Sequence, residues 1–194
     1  MGRNMVLVVF WAVLVGCSFQ DPQDEGKQTL KNKNEGPSFS EFKPEILDGK
    51  HRGWEGRAVA EWLGGEIEVT AESIPGENAD VMPEVQRQMI AVACKQPHKA
   101  KKILEEFLFA YYKNEVLETL PEDAEYAPDL KESHEIWSLV SEPFLHIPSA
   151  EMISDKYQFV LMFEADWDPE NGIAVTYGEN GPIAVDEQSA HYYY

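Results

Sequence analysis

Between Tyr157 and Trp167 apolar residues recur at every second position, with Tyr157, Phe159, Leu161, Phe163, Ala165 and Trp167 on one side. Successive strand residues point to opposite faces, so this spacing predicts a β-strand with one strongly aromatic face. Such a face is stable only against a core, which commits this part of the chain to a sheet. The other side, Gln158, Val160, Met162, Glu164 and Asp166, turns polar toward its end. Asp168 to Gly172 carries turn chemistry, and its Asn-Gly pair favours a tight hairpin. Ile173 to Tyr177 and Pro182 to Val185 then read as returning strands around a Gly178–Gly181 turn, which makes a C-terminal meander.

Upstream, Phe42 to Leu47 reads as a short strand that Pro44 confines to an edge or a strand start. Arg57 to Leu63 and Glu66 to Ile74 read as a hairpin around Gly64-Gly65, the second arm alternating Ile67, Val69 and Ala71 against Glu66, Glu68 and Thr70. A helical section follows. Asp80 is placed to cap and Pro83 to open a helix whose apolar face is Val85, Met89 and Val92, with Pro97 ending it. Lys99 to Leu117 is the longest helical stretch, presenting Ile103, Leu104, Phe107, Leu108, Tyr111 and Tyr112. Lys101 and Lys102 stand one turn before Glu105 and Glu106 and are expected to pair with them. A third helix is predicted over Leu130 to Val140. Strands, then helices, then strands give an α+β class: an antiparallel sheet with about three helices packed on one face, ending in a β-meander.

The front of the chain has a different composition. Arg3 precedes an uninterrupted apolar run from Met5 to Val15, and Gly16 stands before Cys17, the three parts of an export signal. The run is well short of the ~20 residues a spanning helix needs. Ser18 to Glu41 is rich in Gln, Asp, Glu, Lys, Asn, Ser, Gly and Pro, with Phe19, Leu30 and Phe39 isolated. That composition predicts a flexible tether with a root-mean-square span of roughly 27 Å. The division expected is 1–16 leader, 17–41 cysteine and tether, 42–194 one folded domain.

The formal net charge is -19, and one unit more negative without Arg3. So acidic a surface disfavours nucleic acid and anionic headgroups and, if it meets a macromolecule, favours a basic protein. Simple solvation is the alternative reading of the same charge. The two cysteines, Cys17 and Cys94, form no metal-binding pair, and Cys94 within Val92-Ala93-Cys94 reads as a small buried hydrophobe.

Motifs for catalysis are missing. His51, His98, His134, His146 and His191 have no zinc-site spacing, and the sequence has no nucleophile elbow, phosphate-binding glycine loop or dinucleotide fingerprint. Glu164, Asp166, Asp168 and Glu170 alternate in a way that could attract a cation. An EF-hand loop counted from Asp166 would need Gly and Glu where Asn171 and Tyr177 stand, so that motif fails. No metal, no cofactor and no catalytic residue is expected, which leaves a hydrolase built from dispersed carboxylates as an alternative.

Leu14-Val15-Gly16-Cys17 resembles the lipobox of bacterial lipoproteins: an aliphatic residue, a tolerant position, a small residue, then cysteine. The resemblance implies cleavage after Gly16 and acylation of Cys17, giving an exported protein held on a membrane by lipid. An ordinary secretory signal and a buried apolar N-terminus compete with it. Ser18, rather than Asp, after the cysteine is compatible with an outer-membrane destination. Further on, Trp167-Asp168-Pro169-Glu170-Asn171-Gly172 and the following Ile173 resemble the Trp-Asp-Pro-Glu-His-Gly signature of a bacterial family of domains of unknown function. Val85-Gln86-Arg87-Gln88, Tyr111-Tyr112 and Glu135-Ile136-Trp137 agree with it, over residues 54 to 186. That family is met in cytosolic proteins, some from suspected toxin-neutralising loci, and Asn171 departs from its His. The expected function is therefore a lipid-anchored, acidic binding domain at the cell envelope, with an immunity-type neutraliser of a basic toxin outside the cytoplasm as the alternative.

Overall fold

The computed structural model describes residues 42–47, 50–74, 80–120, 127–141 and 143–188. All lie within the compact unit Asn34–Tyr194; the other unit, Met1–Lys33, lies outside the described residues, and with it Gly16, Cys17 and most of the expected tether. The fold is α+β. Seven strands, β1 (Lys43–Leu47), β2 (Lys50–Ala60), β3 (Gly65–Glu72), β4 (Phe144–Ile147), β5 (Phe159–Phe163), β6 (Ile173–Gly178) and β7 (Gly181–Asp186), form one sheet in sequence order. Every neighbouring pair is antiparallel except β3 and β4, which run parallel, Thr70 opposite His146. The sheet is thus antiparallel as expected, with one parallel seam. A parallel pair needs a long crossover, and the helical section between Glu72 and Phe144 supplies it.

Helices α1 (Glu84–Cys94), α2 (Lys99–Tyr111) and α3 (Leu117–Thr119) belong to that section. They share one core with the odd-numbered residues of β3, β4 and β5: Ile67, Val69, Leu145, Ile147, Phe159, Leu161 and Phe163. The indole N–H of Trp62 donates to the Ala93 carbonyl at 2.7 Å, tying the first hairpin to the end of α1. Phe159 stacks on Tyr177 with ring centroids 4.5 Å apart.

Several local expectations are corrected. The buried face of α1 is Gln86, Ile90, Ala93 and Cys94; of the expected Val85, Met89 and Val92, Met89 packs half-buried against the core, while Val92 is 37% exposed. Gln86 is buried because its amide donates to the carbonyls of Glu72 at 2.7 Å and Pro148 at 2.8 Å. Pro83, not Asp80, is the residue before the helix. Between α2 and α3 the helix widens into a π turn, Tyr112–Val116, where Leu117 N–H reaches back to the Tyr112 carbonyl. Lys102 and Glu106 do approach, at 3.8 Å. Glu105 instead accepts from the Trp137 indole at 2.7 Å, and the Lys101 ammonium sits 5.2 Å from that ring's centroid. The third predicted helix is a six-residue 3-10 helix, Ser133–Ser138, opened by a capping box between Glu132 and Glu135.

Two hairpins also differ. Glu61–Leu63 is a 3-10 turn, not strand, closed by Gly64 at φ +116°. The long aromatic strand stops at Phe163, because residues beyond it pair elsewhere: Ser141 N–H donates to Glu164 O at 3.0 Å and Asp166 N–H to Leu139 O at 2.9 Å. The connection from β5 to β6 is consequently nine residues, 164–172, and not a tight Asn-Gly hairpin.

Candidate functional site

The Trp167–Gly172 segment is built as a self-braced turn. Asp168 is its hub: its Oδ1 accepts from the Asn171 backbone N–H at 3.2 Å and from the Asn171 side-chain amide at 2.9 Å, while its carbonyl accepts from Gly172 N–H at 2.8 Å. Gly172 then takes φ +59°, the left-handed conformation that glycine adopts without steric cost. Pro169, Glu170 and Asn171 face solvent. Trp167 turns inward, half-buried, with its ring centroid 5.0 Å from that of Tyr112 in the π turn. The Tyr112 hydroxyl donates onward to the Pro128 carbonyl at 2.8 Å. The turn, the tyrosine pair and the loop after α3 therefore form one braced corner. Burial, and after it the carboxylates of Asp186, Glu115, Asp168 and Glu187, pushes the Tyr111 phenol above its usual range.

The four alternating carboxylates are not gathered there. Asp168 is spent on the turn, Glu170 points to solvent, and Glu164 faces the opposite side of the sheet. Among the described residues no group of three His, Cys, Asp or Glu is arranged to hold a metal ion. Cys94 is buried, and burial alone pushes its thiol up to about 11, so it is held as a neutral small hydrophobe. His98 and His134 are exposed, and His51 and His191 have side chains outside the described residues.

His134 lies 3.3 Å from Glu132 at the surface, whereas His146 is buried. It is 2% exposed, on the side of the sheet away from the helices. Its Nδ1 lies 3.0 Å from the Thr70 hydroxyl across the parallel seam, and its Nε2 lies 3.5 Å from Glu72 Oε1. The even-numbered residues of β3 and β4 that make this line carry no sequence motif, since it depends on which strands lie side by side.

That same side carries a cleft of about 480 Å³. By the period of two, Glu66, Glu68, Phe144 and Glu164 all point away from the helical core. Val160, Met162 and Ala174 form a small apolar cluster on that face, with Phe144 and Tyr157 packed against it, and no helical side chain joins the cluster among the described residues. Phe144 and Pro143 make the apolar part of the cleft wall, and Gln188 lies at its rim, its amide donating to the Phe163 carbonyl at 2.6 Å. Arg57 lies on one flank, with Nη1 2.9 Å from Glu66 and Nη2 3.3 Å from Glu68. Those acceptors, Glu66 foremost, hold its guanidinium still more firmly protonated than usual. Glu164 stands on the other flank, exposed, with its N–H bonded to the Ser141 hydroxyl at 2.8 Å. The cleft thus sets three carboxylates against one guanidinium beside an apolar wall. It suits a cationic group with an aliphatic or aromatic body.

Residues 38–192 match the family described as Domain of unknown function (DUF6985). The chain belongs to that family. The match agrees with the expectation of a family without assigned activity, and it covers the whole sheet and helical layer. No curated protein and no solved structure matches the chain.

Proposed function

We propose that this chain is a bacterial lipoprotein, acylated on Cys17 after cleavage behind Gly16, whose DUF6985 domain acts by binding a basic partner at the cell envelope. The observation that carries the binding half is the cleft on the side of the sheet opposite α1 and α2, where Glu66, Glu68 and Glu164 outnumber Arg57 among the described lining residues. The formal charge of -19 reinforces it, because a field of that sign attracts cations before contact. The leader and lipobox carry the anchoring half. Two or more acyl chains give stable attachment where one does not. A tether over residues 17–41 would then hold the acidic domain clear of anionic headgroups.

A neutraliser of a basic toxin outside the cytoplasm is the special case in which the partner is a toxin, and a toxin gene beside this one would single it out. The hydrolase alternative needs a cleft carboxyl with raised proton affinity. Among the described residues, Glu84 is held down by its hydrogen bond to Arg87, Asp129 by Lys113 and Lys131, and Glu135 by backbone amides, and none of these three lines the cleft.

The test has two arms. Replacing Cys17 by Ala in the producing cell should abolish incorporation of labelled palmitate and release the protein from the membrane fraction; label and fractionation both unchanged would refute the anchor. For binding, the mature chain is titrated with hexa-arginine peptide at rising salt. Affinity should fall steeply between low and physiological ionic strength. Binding that is absent, or indifferent to salt, would refute the basic-partner reading.

A further inference from the structure

We infer that the cleft on the face opposite α1 and α2 is the seat of the partner's arginine or lysine side chain, its stem lying over Phe144 and Pro143 and its cation meeting Glu164. The inference rests on the basic-partner reading above and deepens it by naming the place and the group.

Charge and shape converge on one occupant. Glu66 and Glu68 already share the Arg57 guanidinium, so these three groups are one cation short of neutral before any ligand arrives. Glu164, across the cleft, makes no ion pair among the described residues, so the described lining sets three carboxylates against one guanidinium. An anionic ligand would have to displace a carboxylate from Arg57 and sit against the remaining ones. A purely apolar ligand would strip water from carboxylates that it cannot satisfy.

A long cationic side chain meets both demands. Its aliphatic stem covers apolar surface while its head stays at a wet, charged rim. Phe144 supplies that surface and is itself packed against the Val160, Met162 and Ala174 cluster, so the wall of the cleft is preformed. The volume of about 480 Å³ lies within the roughly 300–1,000 Å³ usual for binding clefts. Glu164 is also presented from a fixed place: it directly follows β5, and its backbone N–H and carbonyl are both bonded to Ser141.

The probe is hexa-arginine, with hexa-citrulline as its uncharged isostere and hexa-glutamate as its opposite. The full mature chain is titrated with each, alongside Glu164→Gln and, as a charge-matched control on the helical layer, Glu118→Gln. Glu164→Gln should weaken hexa-arginine roughly three- to fivefold, the range of one exposed ion pair, against less than about twofold for Glu118→Gln. Hexa-citrulline should not bind. In the unsubstituted protein, amide resonances of Glu68, Phe144 and Glu164 should shift on titration while that of Glu118 does not, which keeps the inference open to test should a variant misfold. Equal weakening by both variants, or shifts spread evenly over the surface, would overturn the cleft and leave the basic-partner reading standing. Failure of the wild-type chain to bind would overturn both. Binding of hexa-glutamate that Arg57→Gln abolishes would make the cleft an anion site and overturn the inference.

Discussion

Gly172→Ala tests whether the Trp167–Gly172 turn is held by packing as well as by its own hydrogen bonds. At φ +59° an alanine pays about 1–2 kcal/mol for the left-handed backbone. A Cβ at this position would also lie 2.4 Å from the Gln188 amide nitrogen and 2.7 Å from the Phe163 carbonyl oxygen. Those two atoms are already bonded to each other at 2.6 Å, so neither moves without loosening that bond. Overpacking of this kind costs about 1–3 kcal/mol. The expected loss is therefore about 2–5 kcal/mol, or about 4–20 °C in Tm for a domain of this size. Urea unfolding of Gly172→Ala, Gln188→Ala and the double variant measures how the loss divides. Removing the Gln188 side chain takes away the nearer obstacle and leaves the Phe163 carbonyl. The double variant should then be more stable than the two single losses predict, by about 1 kcal/mol. Additivity within about 0.3–0.5 kcal/mol would refute the Gln188 share of the steric cost and leave backbone conformation and the Phe163 carbonyl to account for the loss.

Two further perturbations probe the same corner. Tyr112→Phe removes the hydroxyl that reaches Pro128 from a fully buried ring, and should cost about 1 kcal/mol with ring packing kept; thermal unfolding should show about 2–4 °C. Asp129 is paired by Lys113 and Lys131, which hold its carboxyl down at about 2 against an ordinary 3.8. A carboxyl depressed on folding stabilises the native state above its unfolded value, and that contribution is lost as pH falls through the folded one. Between pH 4 and pH 2 the urea midpoint of Asp129→Asn should consequently fall less steeply than that of the unsubstituted protein. Because the pair is solvent-exposed, the difference should shrink in added salt.

The elements legible in the sequence are those whose signal is local. The alternation in β3 and β5 and the turn residues between β6 and β7 depend on neighbours a few positions apart, and the meander follows from them. The α1 face was not legible from apolarity, because its inward stripe begins with a glutamine. Gln86, Ile90, Ala93 and Cys94 follow the i, i+4, i+7, i+8 spacing of a buried stripe, but only when a polar residue is admitted to it. What admits Gln86 is a pair of carbonyls, Glu72 and Pro148, 14 and 62 residues away. Truncation of the aromatic strand at Phe163 has the same origin, since Leu139 and Ser141 compete for the backbone that β6 would otherwise take.

The cleft illustrates how a small local error removes a site from view. Read as a two-residue loop at Gly64-Gly65, the first hairpin pairs Leu63 with Glu66 and so sets Arg57 opposite Glu72. The 3-10 turn at Glu61–Leu63 takes three residues out of the strand, and the register becomes Ala60 opposite Gly65 and Arg57 opposite Glu68. Both registers leave Arg57 on the same face, because the slip is an even number of residues, so the hydrophobic pattern gives no warning. Only the observed register puts the guanidinium within reach of Glu66 and Glu68 together, beside Phe144 of β4 and across from Glu164. Those last two reach the cleft through a parallel seam and a strand end, each set by contacts distant in sequence. The charges were visible as composition. Their gathering on one side of the sheet follows from a turn of three residues and a crossover of about seventy, and it is on that gathering, not on the net charge, that the proposed cation seat rests.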